Sequence, residues 1–158
     1  MSSDAPTSQA SDEAASNADA VVSRILVAVS SPQASERLVV PVADFARRMN
    51  AEVLVVHVSK PAGGGQRGDR ETGDEAVNTL GETIRKRGVP VQTLLMFSDD
   101  VARAILNTAE QQRASLIMLG LTGKGVFQRL IEGNVPVELL RETRLPVMLL
   151  PPDFSGTL

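Results

Sequence analysis

The chain has 158 residues and a formal net charge of -3, and 42% of its residues are hydrophobic and 22% charged, a composition typical of one globular domain. It contains no cysteine, which excludes disulfides and thiolate chemistry, and its one histidine, His57, excludes a multi-histidine metal centre. The lack of Trp and Tyr and the negative charge argue against nucleic-acid binding, and no apolar run approaches the roughly 20 residues that membrane insertion needs.

The first 22 residues differ in composition from the rest of the chain. This segment contains no Lys or Arg, and all its charged residues are acidic: Asp4, Asp12, Glu13 and Asp19. Because it has almost no large apolar side chains, we expect residues 1–22 to form a disordered acidic tail. It also lacks the basic start and apolar middle of a secretory signal. We therefore expect a cytoplasmic protein with one domain at residues 23–152 and a short tail at 153–158.

Five short apolar runs predict β-strands. In chain order they are Ile25–Val29, Val53–Val58, Val91–Met96, Leu116–Leu119 and Val147–Leu150. Four of them are nearly continuous, which is the pattern of strands buried on both faces of a parallel sheet. Gln92 and Thr93 interrupt the third run, so we expect that strand near an edge of the sheet.

Four segments between these runs have apolar residues at helical spacing. They are approximately Gln33–Met49, Asp74–Arg87, Asp100–Arg113 and Asn134–Thr143. Pro41 is expected to bend the first helix, whereas Pro136 suits the first turn of the fourth. Ser98 or Asp99 is expected to cap the third helix. The Gly-rich segment Pro61–Gly73 is expected to be a mobile loop.

The alternation of strands and helices predicts an α/β fold, a doubly wound parallel sheet with right-handed crossovers and helices on both faces. Such sheets bind ligands beyond the carboxyl ends of their strands, where the strand order reverses. We therefore expect the functional site to follow the first and fourth strands.

The fourth strand leads into a connection rich in glycine. It contains Gly120, Gly123, Gly125 and Gly133. Glycine lets backbone N–H groups approach phosphate oxygens, and the start of the next helix adds partial positive charge. The alternative is a loop in which glycines only make tight turns, with Lys124 as a solvated charge rather than a phosphate contact. The spacing fits neither a Walker A loop nor a dinucleotide fingerprint.

The spacing of Gly120, Gly123 and Gly133 resembles the nucleotide-binding signature of the universal stress protein family, as do the sequences ILVAV, VVHV, LIMLG and RLPVMLL. The resemblance extends from about Arg24 to Leu150. It implies an open five-stranded parallel sheet in the order 3-2-1-4-5, a Rossmann-like sandwich that binds an adenine nucleotide. It also implies ATP, AMP or ADP as the ligand, with any Mg²⁺ held through the phosphates, and a homodimer that pairs the last strand, Val147–Leu150.

The resemblance also implies the residues of the site. Those assigned to the adenine and ribose lie at the ends of three strands: Ala28, Val29, Ser30, Val58, Leu119 and Gly120. Those assigned to the phosphates lie near the end of the Gly-rich connection or within it: Gly123, Gly133, Asn134 and Val135. Two positions depart from the family pattern, because Ser30 replaces the usual Asp and Asn134 the usual Ser or Thr. These departures leave the affinity and the identity of the nucleotide open.

Three classes of function remain open at this stage. We favour a nucleotide-binding regulatory protein that acts on an unknown protein partner. The alternatives are a dimeric interaction module with a degenerate site and a slow ATPase. The sequence offers no convincing general base, because His57 has no carboxylate or serine partner in a triad pattern. We expect His57 to pack or to make one backbone hydrogen bond, and we assign no catalytic or metal-binding residue.

Overall fold

The computed structural model describes residues 23–30, 32–61, 66–121, 135–151 and 154, with residues 33 and 66–69 described for their backbone alone. Strands and helices alternate along these residues. The strands are β1 (Arg24–Ala28), β2 (Glu52–Ser59), β3 (Val91–Phe97), β4 (Leu116–Gly120) and β5 (Val147–Leu150). The helices are α1 (Pro32–Arg48), α2 (Gln66–Lys86), α3 (Val101–Gln111) and α4 (Val135–Glu142). All five predicted strands are confirmed within a few residues.

The five strands form one parallel sheet in the order β3-β2-β1-β4-β5. This confirms the order that the resemblance implied, and it confirms that the strand containing Gln92 and Thr93 lies at an edge. In the centre of the sheet, Ile25 of β1 pairs with Val53 of β2 on one side and Leu116 of β4 on the other. The chain therefore leaves β1 at the point where the strand order reverses.

Side chains that alternate along the strands form two apolar layers, one on each face of the sheet. Val27, Val55 and Met118 are fully buried in the layer that packs against α1 and α2. Leu26 and Ile117, also fully buried, belong to the layer that packs against α3 and α4. The prediction of helices on both faces is confirmed, and it explains why four strands have no polar alternation.

The predicted boundary of α2 is wrong, because this helix begins at Gln66 rather than Asp74. Most of the segment expected to be a loop is therefore helical. Gly73 is buried where α2 crosses β2, and a Cβ atom at this position would lie 2.5 Å from Cδ2 of His57. This glycine permits close packing of the helix on the sheet, which composition alone cannot distinguish from a turn.

Three other helix predictions concern Pro41, Pro136 and the start of α3. Helix α1 continues through Pro41 without a break, and Pro136 lies in the first turn of α4 as predicted. The predicted cap of α3 is wrong: the N-cap is Asp100, whose carboxylate accepts a hydrogen bond from the Arg103 N–H at 2.9 Å. Ser98 instead supports this cap, because its hydroxyl accepts a hydrogen bond from the Asp100 N–H at 3.2 Å. No helix in the described ranges has the length and apolar character needed to cross a membrane.

Candidate functional site

The carboxyl ends of β1, β2 and β4 lie side by side in the middle of the sheet. Ala28, the last residue of β1, pairs with Val56 of β2 and with Leu119 of β4. The sheet order reverses at β1, so the turn after β1 and the connection after β4 leave the sheet next to each other. This is the position at which the sequence predicts the functional site.

Four of the predicted site residues contribute to one apolar layer. Leu119 is buried in the layer beneath α3 and α4, and Ala28, Val58 and Val135 are half-buried against the same layer. We call these four residues the apolar shelf. They come from three adjacent strands and the start of α4, so the fold brings together residues that are far apart in the sequence.

The remaining described site residues differ in exposure and orientation. Val29 is buried in the opposite layer, and its N–H donates a hydrogen bond to the Val56 carbonyl at 2.9 Å. Ser30, two residues after β1, is exposed. Gly120 lies against α1, because a Cβ atom there would be 2.9 Å from both Cδ atoms of Leu38. This glycine therefore has a packing role, whatever its role toward a ligand.

Both ends of the Gly-rich connection have a defined position. At one end the Leu121 N–H donates a hydrogen bond to the Leu150 carbonyl at 2.8 Å. At the other end α4 begins at Val135, in the layer of the apolar shelf. The predicted phosphate-binding residues Gly123, Lys124, Gly133 and Asn134 lie between these ends and outside the described residues.

His57, on β2, makes a side-chain hydrogen bond to the backbone just after β1. Its Nδ1 lies 2.8 Å from the carbonyl oxygen of Val29, and its Nε2 lies 3.1 Å from the hydroxyl of Ser59. A carbonyl can only accept, so Nδ1 carries a proton and donates to it. In the Nδ1–H tautomer, Nε2 accepts a hydrogen bond from the Ser59 hydroxyl. The predicted backbone hydrogen bond of His57 is confirmed. Sequence analysis missed Ser59, although its spacing of two residues along a strand places both side chains on one face.

A groove beside the apolar shelf runs between the start of α3 and one side of α4. Its lining includes Val135 of the shelf, Lys60 after β2, and four carboxylate residues: Asp99, Asp100, Glu138 and Glu142. No group of His, Cys, Asp and Glu side chains in the described part of the chain is arranged to hold a metal ion. Because carboxylates repel phosphate, this groove does not suit a phosphate chain.

Comparisons with known proteins agree with the fold described above. A model of the universal stress protein family matches residues 22–151. A universal stress protein of Methanocaldococcus jannaschii is 30% identical over 81 residues, which cover 51% of this chain and 47% of that protein. The chain thus matches about half the length of this curated relative.

Two solved structures with bound nucleotides share the fold. The universal stress protein from Archaeoglobus fulgidus in complex with dAMP superimposes with a TM-score of 0.65 and 24% identity, covering 82% of this chain and 98% of that one. A universal stress protein in complex with cAMP superimposes with a TM-score of 0.66 and 16% identity, covering 84% and 98%. Because the family model accounts for nearly all of the described residues, the chain belongs to the universal stress protein family.

Proposed function

We propose that this protein binds an adenine nucleotide at the carboxyl ends of β1, β2 and β4. The observation that carries the proposal is the apolar shelf of Ala28, Val58, Leu119 and Val135, which adjoins both ends of the Gly-rich connection. A purine base is flat and largely apolar, and it gains from leaving water against such a surface. The dAMP and cAMP complexes of two family members support an adenine nucleotide as the ligand.

The triphosphate of ATP would extend from the shelf into the connection that begins after Gly120. Main-chain N–H groups near Gly123 and Gly133 would bind its oxygens, with Lys124 nearby and Asn134 at the start of α4. Ser30 would donate or accept a hydrogen bond at the base or ribose. Mg²⁺ would be held by the phosphates and water, since phosphate oxygens commonly supply much of its coordination.

The same proposal extends to assembly and regulation. The protein would act as a homodimer through Val147–Leu150, and nucleotide binding would change its interaction with an unidentified protein partner. The position of β5 at an edge of the sheet supports the dimer, because an apolar edge strand needs a pairing partner or other protection. The cytoplasmic location, expected because residues 1–22 lack the pattern of a secretory signal, remains a prediction.

Calorimetric titration of the full chain with ATP, with and without Mg²⁺, tests the proposal. We expect saturable binding to the parent protein and none to Gly133→Val, since a side chain there occupies the space of a phosphate oxygen. Gly156→Val makes the same substitution outside the proposed site and should bind normally. Parallel titrations with ADP and AMP identify the preferred nucleotide.

The titration also separates the nucleotide-binding protein from the interaction module, and a phosphate-release assay tests for an ATPase. An absence of saturable binding at millimolar nucleotide would favour an interaction module with a degenerate site. Normal binding to Gly133→Val refutes the assigned phosphate site. Sustained phosphate release from bound ATP would instead establish an ATPase.

A further inference from the structure

The amino-terminal edge of the sheet, where the strands begin, carries a cluster of cationic side chains. Because the strands are parallel, every helix runs back and ends at this edge. Six exposed cationic residues lie in the last turns of α1 and α2 and in the turns after α2 and α3: Arg47, Arg48, Arg85, Lys86, Arg87 and Arg113. We call these six residues the basic edge.

Most of this charge has no carboxylate partner. Arg47 pairs with Asp44 at 3.1 Å, and Glu52 is occupied by an ion pair with Arg24 of β1. No carboxylate of the described residues lies within 4 Å of a side-chain nitrogen of the other five members of the basic edge. One cation at one helix end is explained by the helix dipole. The ends of α1 and α2 bring several cations to one edge, and their combined field remains available to an anion.

The acidic segment of residues 1–22 joins the domain at this same edge. The Ser23 carbonyl, just before β1, accepts a hydrogen bond from the N–H of Glu52 at 2.9 Å, so Ser23 lies where β1 and β2 begin. Residues 1–22 lie outside the described residues, and their charged groups are four carboxylates. Neighbouring strands are about 4.8 Å apart, which places β3 roughly 10 Å from β1. A segment of this length, at up to about 3.5 Å per residue, can reach the whole basic edge.

We propose that the acidic segment of residues 1–22 binds the basic edge of its own domain. Single exposed ion pairs are weak, so the contact depends on several carboxylates acting together and on the covalent link, which keeps their local concentration high. The contact is electrostatic and therefore weakens as salt is added. It covers the edge opposite the proposed nucleotide site, and it does not depend on nucleotide binding.

The absence of cysteine permits a direct test in the full chain. A nitroxide attached at Ser11→Cys, beside Asp12, broadens the NMR signals of nearby backbone amides. We expect loss of amide intensity at Asn50, Gly88 and Arg113, and none at Ser98 on the opposite edge. The intensity should return in about 1 M NaCl, where the Debye length is about 3 Å.

Two matched pairs of substitutions identify the surface. Lys86→Gln with Arg87→Gln should restore most of the lost intensity at the basic edge. The matched control is Lys60→Gln with Arg103→Gln, which also removes one exposed lysine and one exposed arginine, but near the opposite edge. This control should leave the broadening unchanged.

Three results would overturn the proposal. The first is equal broadening at both edges, and the second is broadening confined to the neighbours of Ser23. The third is broadening in a mixture of spin-labelled chains and unlabelled, isotope-enriched chains, which would assign the contact to a second copy. The same spectra show whether each variant is folded.

Discussion

The imidazole of His57 connects β2 to the carbonyl of Val29, the residue after β1 and directly before the exposed Ser30. Its ring lies between the Val29 carbonyl and the Ser59 hydroxyl, and Ser59 is only 4% exposed. Gly73 of α2 packs against the same ring, so the imidazole is held from the strand side and the helix side. The position of Ser30 thus depends on a side chain of the neighbouring strand.

Ser59→Ala should lower the free energy of unfolding, because it removes the donor to Nε2 and leaves a half-buried acceptor unpaired. The expected loss is about 1–3 kcal/mol. Urea denaturation measures this loss, and Ser30→Ala, which removes an exposed hydroxyl, should change stability by less than about 0.5 kcal/mol. Nitrogen NMR of the imidazole should show the Nδ1–H tautomer in the parent protein. Observation of the Nε2–H tautomer would contradict the assigned network.

Single residues of the site could be predicted only in part. The run ILVAV and the glycine spacing located the ends of β1 and β4 because strand periodicity and turn chemistry are local properties. The packing of Gly120 on Leu38 is not local in this sense, since it depends on which side chains of α1 face β4. The pairing of His57 with Ser59 is local, but strand spacing gives only the shared face and not the contact itself. The sequence contains those residues but not their distances.

At the scale of the elements, hydrophobic periodicity predicted which elements form but misplaced the start of α2. Glycine costs a helix about 1 kcal/mol relative to alanine, so a Gly-rich stretch favours the prediction of a loop. In α2, however, Gly73 and Gly81 face β2 and β3, where a Cβ atom would lie within 2.6 Å of His57 or Thr93 side-chain atoms. Close contact between the layers outweighs helix propensity here.

Helix α3 gives a direct test of the corrected cap. Asp100→Ala removes the carboxylate that accepts the Arg103 N–H, and we expect it to cost about 1 kcal/mol of unfolding free energy. Asp99→Ala removes the same charge one residue earlier and should be nearly neutral. Urea denaturation of the two variants makes the comparison. Equal losses would show that charge near the helix start, rather than the cap hydrogen bond, stabilises α3.

At the scale of the whole molecule, the four boundaries of the sheet have different chemistry. The carboxyl ends of the strands form the apolar shelf, and their amino ends carry the basic edge. Of the two lateral edges, β3 exposes Gln92 and Thr93, whereas β5 consists of four apolar residues. Polar side chains protect an edge strand from pairing with another chain, so β3 and β5 differ in their capacity for assembly.

The backbone of β5 allows the proposed dimer to be tested without breaking the sheet. The carbonyls of Pro146 and Leu150 accept hydrogen bonds from Ile117 and Leu121, so alternate residues of β5 face the β4 side. Leu149 lies between them in this alternation, and its N–H therefore points to the open edge. Leu149→Pro removes that donor and keeps the bonds to β4, since proline is tolerated in edge strands.

If β5 pairs with β5 of a second chain, Leu149→Pro should be monomeric in sedimentation equilibrium while the parent protein is dimeric. Leu149→Ala is the matched control: it loses the leucine side chain but keeps the N–H, and it should remain a dimer. A dimeric Leu149→Pro protein would exclude pairing through this donor, and a monomeric parent protein would refute the proposed assembly. Thermal unfolding of both variants separates loss of assembly from loss of folding, because each loses leucine packing of similar extent.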